Sequence, residues 1–135
     1  MSVLSAPAGS RGIDAILADA RSRLARLDAE QARIADLHGA VFVDIRPIAQ
    51  RLEFGEIPGA LVIERNVLEW RLDPRSDARL PVADRYDLPV IVYCQQGYTS
   101  SLAAAALQDL GLHRATDVDG GFEAWRDAGL PVLRW

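Results

Sequence analysis

The sequence predicts an α/β domain: a mostly parallel central sheet flanked by helices on both faces, with an additional N-terminal helix. Three observations lead there. Four short runs rich in β-branched residues, at 41–45, 60–63, 89–93 and 115–118, are apolar at consecutive positions, as strands covered on both faces are. The segments between them are helix-length and broken by glycine or proline, the alternation that yields parallel strands with covering helices. The chain has 135 residues, half of them apolar, which suffices for one domain burying roughly 70% of its unfolded surface.

The elements follow in order. Residues 1–12, MSVLSAPAGSRG, are small and polar, carry no apolar core of a signal peptide, and read as a flexible tail. Ile13, Ile16, Leu17, Ala20, Leu24 and Leu27 then recur at helical spacing, with Arg21, Arg23 and Arg26 largely off that stripe. They predict an amphipathic helix over 13–27, extra to a core domain at 28–135. Its apolar stripe must be covered, by the domain itself or by a second copy of the chain in a homodimer. Asp28 and Gln31 form a capping-box pattern that restarts a helix running to Leu37 and ending at His38-Gly39, and two helices or one bent helix both fit this pattern. Pro58-Gly59 is a turn feeding the second strand, and Trp70, in the charged segment 64–75, is expected to be a buried anchor. The third strand runs through Cys94 to Ser100 into an alanine-rich helix over 101–110, with Gly111 just past its end. Gly120-Gly121 permits a tight turn into a last helix that carries Phe122 and Trp125 on one face.

Composition excludes several functions. The net charge of −4 gives no broad footprint for nucleic acid or an anionic membrane. No apolar run approaches the ~20 residues of a membrane span, so the cytoplasm is the expected compartment. All 15 basic residues are arginine, which removes Schiff-base and Walker-type lysine chemistry. One cysteine, Cys94, cannot close an intramolecular disulfide, a CxxC pair or a cysteine-rich zinc site. No metal and no cofactor are expected.

Cys94 sits in a strand-to-helix turn followed by polar and turn-forming residues, a setting for a reactive thiol and not for a core filler. The thiolate is the nucleophile, and a free cysteine is only about 3% ionised at pH 7. A helix N-terminus contributes ~0.3–1 kcal/mol to a nearby anion, against ~1.36 kcal/mol per pKa unit, so backbone N–H groups of the loop must add to it. Consecutive N–H groups are expected to point at the sulfur, with Gly97 supplying the backbone freedom and Thr99 or Ser100 capping the helix. His38 and His113 fall at helix ends and read as surface residues without a catalytic part.

Three separated motifs resemble the rhodanese (thiosulfate sulfurtransferase) homology domain, over roughly Asp28 to Trp135. Val43-Asp44-Ile45-Arg46 followed by Gly55-Glu56-Ile57-Pro58-Gly59-Ala60 is similar to the family's DxR strand end and GHIPGA turn, with Glu56 where histidine is commonest. Cys94-Gln95-Gln96-Gly97-Tyr98-Thr99 is similar to its C-x-x-G-x-[RT] active-site loop. Asp119-Gly120-Gly121-Phe122, Trp125 and Gly129-Leu130-Pro131-Val132 are similar to its closing signature. The resemblance implies sulfur transfer by double displacement: Cys94 takes the outer sulfur of a donor as a persulfide and releases it to a thiophilic acceptor, a small molecule or a protein thiol. Gln95, Gln96, Gly97, Tyr98, Thr99 and Ser100 would bind the substrate, and Asp44, Arg46 and Arg65 would stand at the rim, the first two as an ion pair. Neither Gln95 nor Gln96 is cationic, so thiosulfate is expected to be a weak donor. A phosphatase of this fold uses C-x5-R, and the arginine position here is Ser100. The other alternative is a non-enzymatic module that senses oxidants through the thiol or binds a partner.

Overall fold

The computed structural model describes residues 5–135. Its strands are β1 (Val41–Asp44), β2 (Leu61–Val62), β3 (Val90–Tyr93) and β4 (Thr116–Asp117). Its helices are α1 (Ile13–Ser22), α2 (Ala29–Leu37), α3 (Ile48–Phe54), α4 (Leu68–Leu72), α5 (Thr99–Asp109) and α6 (Gly121–Asp127), and a 3-10 turn at Arg65–Val67 leads into α4. The sheet order is β2-β1-β3-β4 and every pairing is parallel. The predicted architecture is therefore present, with the two edge strands shorter than the apolar runs that announced them.

Alternation along the strands divides the core into two layers. Val43, Val90 and Val92 face α4 and α5 and pack with Leu68, Leu72 and Leu107. Phe42, Ile91 and Tyr93 face the opposite side, with Ala32 of α2 and Phe122 and Trp125 of α6. There Phe42 meets Trp125 edge-on at 5.6 Å, and the indole N–H is satisfied by the Pro131 carbonyl at 2.7 Å. Gly39 and Gly111 lie in left-handed backbone just past α2 and α5, as helix-ending glycines do. The Asp28–Gln31 capping box is formed in both directions, at 2.8 and 2.9 Å.

Three local expectations need correction. The helix predicted over 13–27 stops at Ser22. Leu27 instead pairs with Val118 as a parallel bridge, its N–H donating to the Asp117 carbonyl and its carbonyl accepting from Asp119 N–H. A residue whose backbone groups are both engaged beside a strand cannot close a helical turn, so Leu27 extends the sheet edge beyond β4. Trp70 is 61% exposed and not a buried anchor, because Leu68 and Leu72 take the core-facing side of α4 and the residue between them points away. The cysteine helix begins at Thr99, two residues early, and no side chain caps it. Ser100 cannot cap because it lies inside the first turn and gives its hydroxyl to Asp117.

Of the tail expected over 1–12, residues 1–4 lie outside the described residues, while 5–12 are exposed and hold one turn closed by Ser10 N–H on the Pro7 carbonyl. α1 packs against α5, with Ala20 buried and Ile13 and Ile16 left exposed. Among the described residues no helix is long and apolar enough to cross a membrane.

Candidate active site

A parallel sheet brings the carboxyl ends of its strands to one edge, and the polar residues of this chain collect there. Cys94 follows β3, Asp44 and Arg46 close β1, and Asp117 ends β4. Cys94 is 6% exposed, and its sulfur accepts a hydrogen bond from Gly97 N–H at 3.2 Å. That contact requires left-handed backbone at Gly97, where φ is +83°. The start of α6 fixes the loop from the other side: Phe122 N–H donates to the Cys94 carbonyl at 2.9 Å and Glu123 N–H to the Gln95 carbonyl at 3.1 Å. Two donors that a helix leaves unpaired in its first turn thereby draw the loop carbonyls toward α6.

The thiol opens on a cleft of about 220 Å³ lined by Ile45, Arg46, Pro47, Gln50, Cys94, Gln95, Gln96, Tyr98 and Thr99. Of the residues predicted for the site, Arg46, Gln95, Gln96, Tyr98 and Thr99 thus gather round Cys94, and Gly97 lies beneath them. Ser100 is turned away and Asp44 sits under Arg46. Arg65 lines a neighbouring cleft with Glu64 and Asn66 and pairs with Glu69 at 2.8 Å, so it does not reach the thiol's cleft. One backbone N–H bonds the sulfur, where several in succession were expected. Those of Gln96, Tyr98 and Thr99 have no acceptor among the described residues. His38 and His113 are exposed at helix ends, remote from this edge.

Arg46 lines the cleft without offering it a free charge. It is fully buried, and its guanidinium makes two bonds to Asp44 at 3.0 and 2.8 Å, one to Gln95 Oε1 at 3.0 Å and one to the Gly55 carbonyl at 2.7 Å. Its flat face lies 4.2 Å from the Phe122 ring centre. Burial by itself would lower its pKa, but the hydrogen-bonded Asp44 carboxylate outweighs that and raises it. Asp44 also accepts from the Tyr93 hydroxyl at 2.9 Å, and that oxygen in turn accepts from Ile57 N–H at 3.3 Å.

Burial first, and the Asp44 charge second, push the Tyr93 phenol well above its ordinary value of 10.0. The folded chain therefore holds a proton that the unfolded chain releases near pH 10, and the sign of the linkage is that stability falls as pH rises above about 10. Urea midpoints measured from pH 8 to 11 are expected to drop at the alkaline end for the wild type and to flatten there for Tyr93→Phe. Parallel curves would remove Tyr93 from the alkaline loss.

A second polar network lies behind the loop and was not legible in the sequence. Asp117, fully buried, accepts from Ser100 Oγ at 2.7 Å, Ser101 Oγ at 2.8 Å and Arg26 Nε at 2.8 Å. Arg26 and Arg21 both reach the Gly97 carbonyl, at 3.0 and 2.8 Å. The only available signal was a carboxylate at the end of a predicted strand. The arginines read as a solvated helix face, but the packing of α1 on α5 brings Arg21 to the loop and the chain path after α1 brings Arg26. Gln50 was likewise missed, since only the placement of α3 brings it to the cleft.

The family model of the rhodanese-like domain matches residues 14–128, which takes in α1 as well as the core. Thiosulfate sulfurtransferase GlpE of Pseudomonas savastanoi is 37% identical over 101 residues, covering 75% of this chain and 86% of that one. GlpE of Pseudomonas putida is 39% identical over 106 residues, 78% of this chain and 87% of its own. Among solved structures, a protein of unknown function from Rhodopseudomonas palustris, described as a possible tyrosine phosphatase, superposes with a TM-score of 0.83 at 37% identity, covering 94% and 98% of the two chains. The polysulfide-sulfur transferase homodimer of Wolinella succinogenes shares the fold, with a TM-score of 0.70 at 22% identity over 90% of this chain and 87% of that one. The chain belongs to the rhodanese-like domain family.

Proposed function

We propose that this protein is a rhodanese-type sulfurtransferase that carries sulfane sulfur as a persulfide on Cys94. The observation that carries the proposal is the buried Cys94 sulfur held by Gly97 N–H at 3.2 Å, in a strand-to-helix loop that opens on a cleft. With thiosulfate, the Cys94 thiolate attacks the outer sulfur. A Cys94 S–S bond forms, the S–S bond of the donor breaks, and sulfite leaves with that bond's electron pair. An acceptor such as cyanide then attacks the terminal sulfur of the persulfide, forming thiocyanate and restoring the thiolate. Atoms and charge balance in both steps without an added oxidant or cofactor. The anionic sulfur is stabilised by the Gly97 N–H already aimed at it, a donor that needs no rearrangement during the reaction.

The cleft is lined by amides, the hydroxyl-bearing Tyr98 and Thr99, and apolar side chains, with the Arg46 charge already engaged by Asp44. It therefore accepts the monoanion of a persulfide or hydropolysulfide at least as readily as the thiosulfate dianion. Phosphoryl transfer is disfavoured because Ser100 takes the place of the loop arginine and bonds Asp117, leaving no bidentate donor for a phosphate. Cytoplasmic residence belongs to the same proposal, since a lone catalytic thiol stays reduced there. The acceptor is then a small thiol or the thiol of a partner protein.

The test is turnover of thiosulfate, mercaptopyruvate and polysulfide with cyanide, followed as thiocyanate. Catalytic thiocyanate formation is expected, with polysulfide at least equal to thiosulfate. No turnover from any of the three, or hydrolysis of an aryl phosphate in its place, would overturn the assignment.

A further inference from the structure

Two arginines on separate turns of the N-terminal segment meet at one backbone atom of the cysteine loop. Arg21 Nη2 donates to the Gly97 carbonyl at 2.8 Å and Arg26 Nη2 to the same oxygen at 3.0 Å. Both side chains are anchored at their other nitrogens. Arg21 Nε donates to Ser101 Oγ at 3.1 Å, and its guanidinium stands 5.5 Å from the Tyr98 ring centre. Arg26 grips Asp117 through Nε at 2.8 Å and Nη2 at 3.2 Å, and Nη1 reaches Asp119 at 3.2 Å. A carbonyl that accepts from two cationic donors is held in direction more firmly than one with a neutral partner.

The direction of this carbonyl matters because of peptide planarity. Gly97, at φ +83°, has no side-chain restraint of its own on the peptide that follows it. In a planar trans peptide the Tyr98 N–H points opposite to the Gly97 carbonyl. With the carbonyl drawn to the arginines, that N–H turns to the side where Tyr98 lines the cleft, and it has no acceptor among the described residues. A flip of this single peptide would present a carbonyl dipole to the anion in place of a donor.

We propose that Arg21 and Arg26 are positioning residues for sulfur transfer, holding the Gly97–Tyr98 peptide so that it offers its N–H to the anionic sulfur carried by Cys94. The proposal rests on the reading of Cys94 as a sulfur carrier. The two arginines contribute differently. Arg26 is tied to two carboxylates, whereas Arg21 makes no ion pair among the described residues, so its positive charge is uncompensated on the carbonyl of Gly97, the same residue whose N–H donates to the thiol. Burial lowers the Arg26 pKa, but the Asp117 hydrogen bond and charge outweigh this and raise it, with Asp119 and Cys94 adding to the rise.

The experiment compares the full-length chain with Arg21→Gln, Arg21→Lys and Arg26→Lys, recording melting temperature, the rate of persulfide formation on Cys94 by mass, and the rate of Cys94 alkylation by iodoacetamide at pH 7. Arg21→Gln is expected to slow persulfide formation about tenfold while melting close to wild type. Arg21→Lys, whose ammonium can still donate to one carbonyl, restores most of that rate. Arg26→Lys cannot span Asp117 and the Gly97 carbonyl together and is slowed about as much as Arg21→Gln. Wild-type rates in Arg21→Gln, or equal slowing in Arg21→Gln and Arg21→Lys, would overturn the role of Arg21, and a wild-type rate in Arg26→Lys that of Arg26. If the wild-type chain takes up no sulfur, the sulfur-carrier reading fails and alkylation decides the positioning role alone. Slower alkylation in Arg21→Gln than in Arg21→Lys then supports it, and equal rates refute it.

Discussion

Serine in place of Cys94 is expected to leave a folded protein with less than roughly one-thousandth of the wild-type transfer rate. The size of the effect follows from the chemistry of the attacking atom. A hydroxyl is not ionised at neutral pH, and no histidine lies near enough to act as its base, since His38 and His113 are exposed at distant helix ends. The fold should tolerate the exchange. The side chain is nearly isosteric, and the Gly97 N–H that donates to sulfur at 3.2 Å can donate equally to a hydroxyl oxygen. Thiocyanate formation reads the activity, and far-UV circular dichroism checks that the variant is folded. Activity above a tenth of wild type would mean that the sulfur passes through some other group.

Gly121→Ala is also expected to disable transfer, by a different route. A Cβ at this position would lie 2.5 Å from the Cys94 carbonyl oxygen and 2.7 Å from Gly97 nitrogen. Both are backbone atoms of the loop that holds the thiol, so no flexible side chain can move aside. The residue also sits at φ +61°, a conformation that costs an alanine ~1–2 kcal/mol before any clash is counted. Relief of the overlap must push the loop off α6 and lengthen the bonds from Phe122 and Glu123 N–H to the Cys94 and Gln95 carbonyls, now 2.9 and 3.1 Å. A fall in transfer of at least about a hundredfold is predicted, with a lowered melting temperature. Gly59→Ala serves as the control, because its added Cβ meets nothing within 4 Å and its strain is backbone strain alone. If the two variants transfer sulfur equally well, the close approach of α6 to the loop has no bearing on catalysis.

The parts of this architecture that sequence revealed are those written in local pattern. β1 and β3 stood out because both faces of a central parallel strand are buried, which leaves an uninterrupted apolar run such as Val90 to Tyr93. The α2 cap was readable because its two partners are three residues apart. Cys94 was readable because the residues that follow it are wrong for a core. What escaped was set by tertiary placement. Leu27 carries the same apolar signal whether it ends a helix or lies beside a strand, and Val118 decides the matter across 91 residues of chain. Arg21 and Arg26 look like solvated helix residues until the packing of α1 on α5 sets the first, and the turn after Ser22 the second, against Gly97. Arg65 follows a strand at this same edge, and the 3-10 turn sets it against Glu69 in a cleft that adjoins the thiol's own through Ile45, Arg46 and Pro47.

The measurement closest to the chemistry is the mass of the Cys94 peptide from protein incubated with thiosulfate or polysulfide and then divided, one half being treated with cyanide. A gain of about 32 Da confined to that peptide, and lost from the cyanide-treated half as thiocyanate appears, is the predicted result. A Cys94 peptide that never gains sulfur, or that gains only oxygen under the same conditions, would contradict the persulfide mechanism.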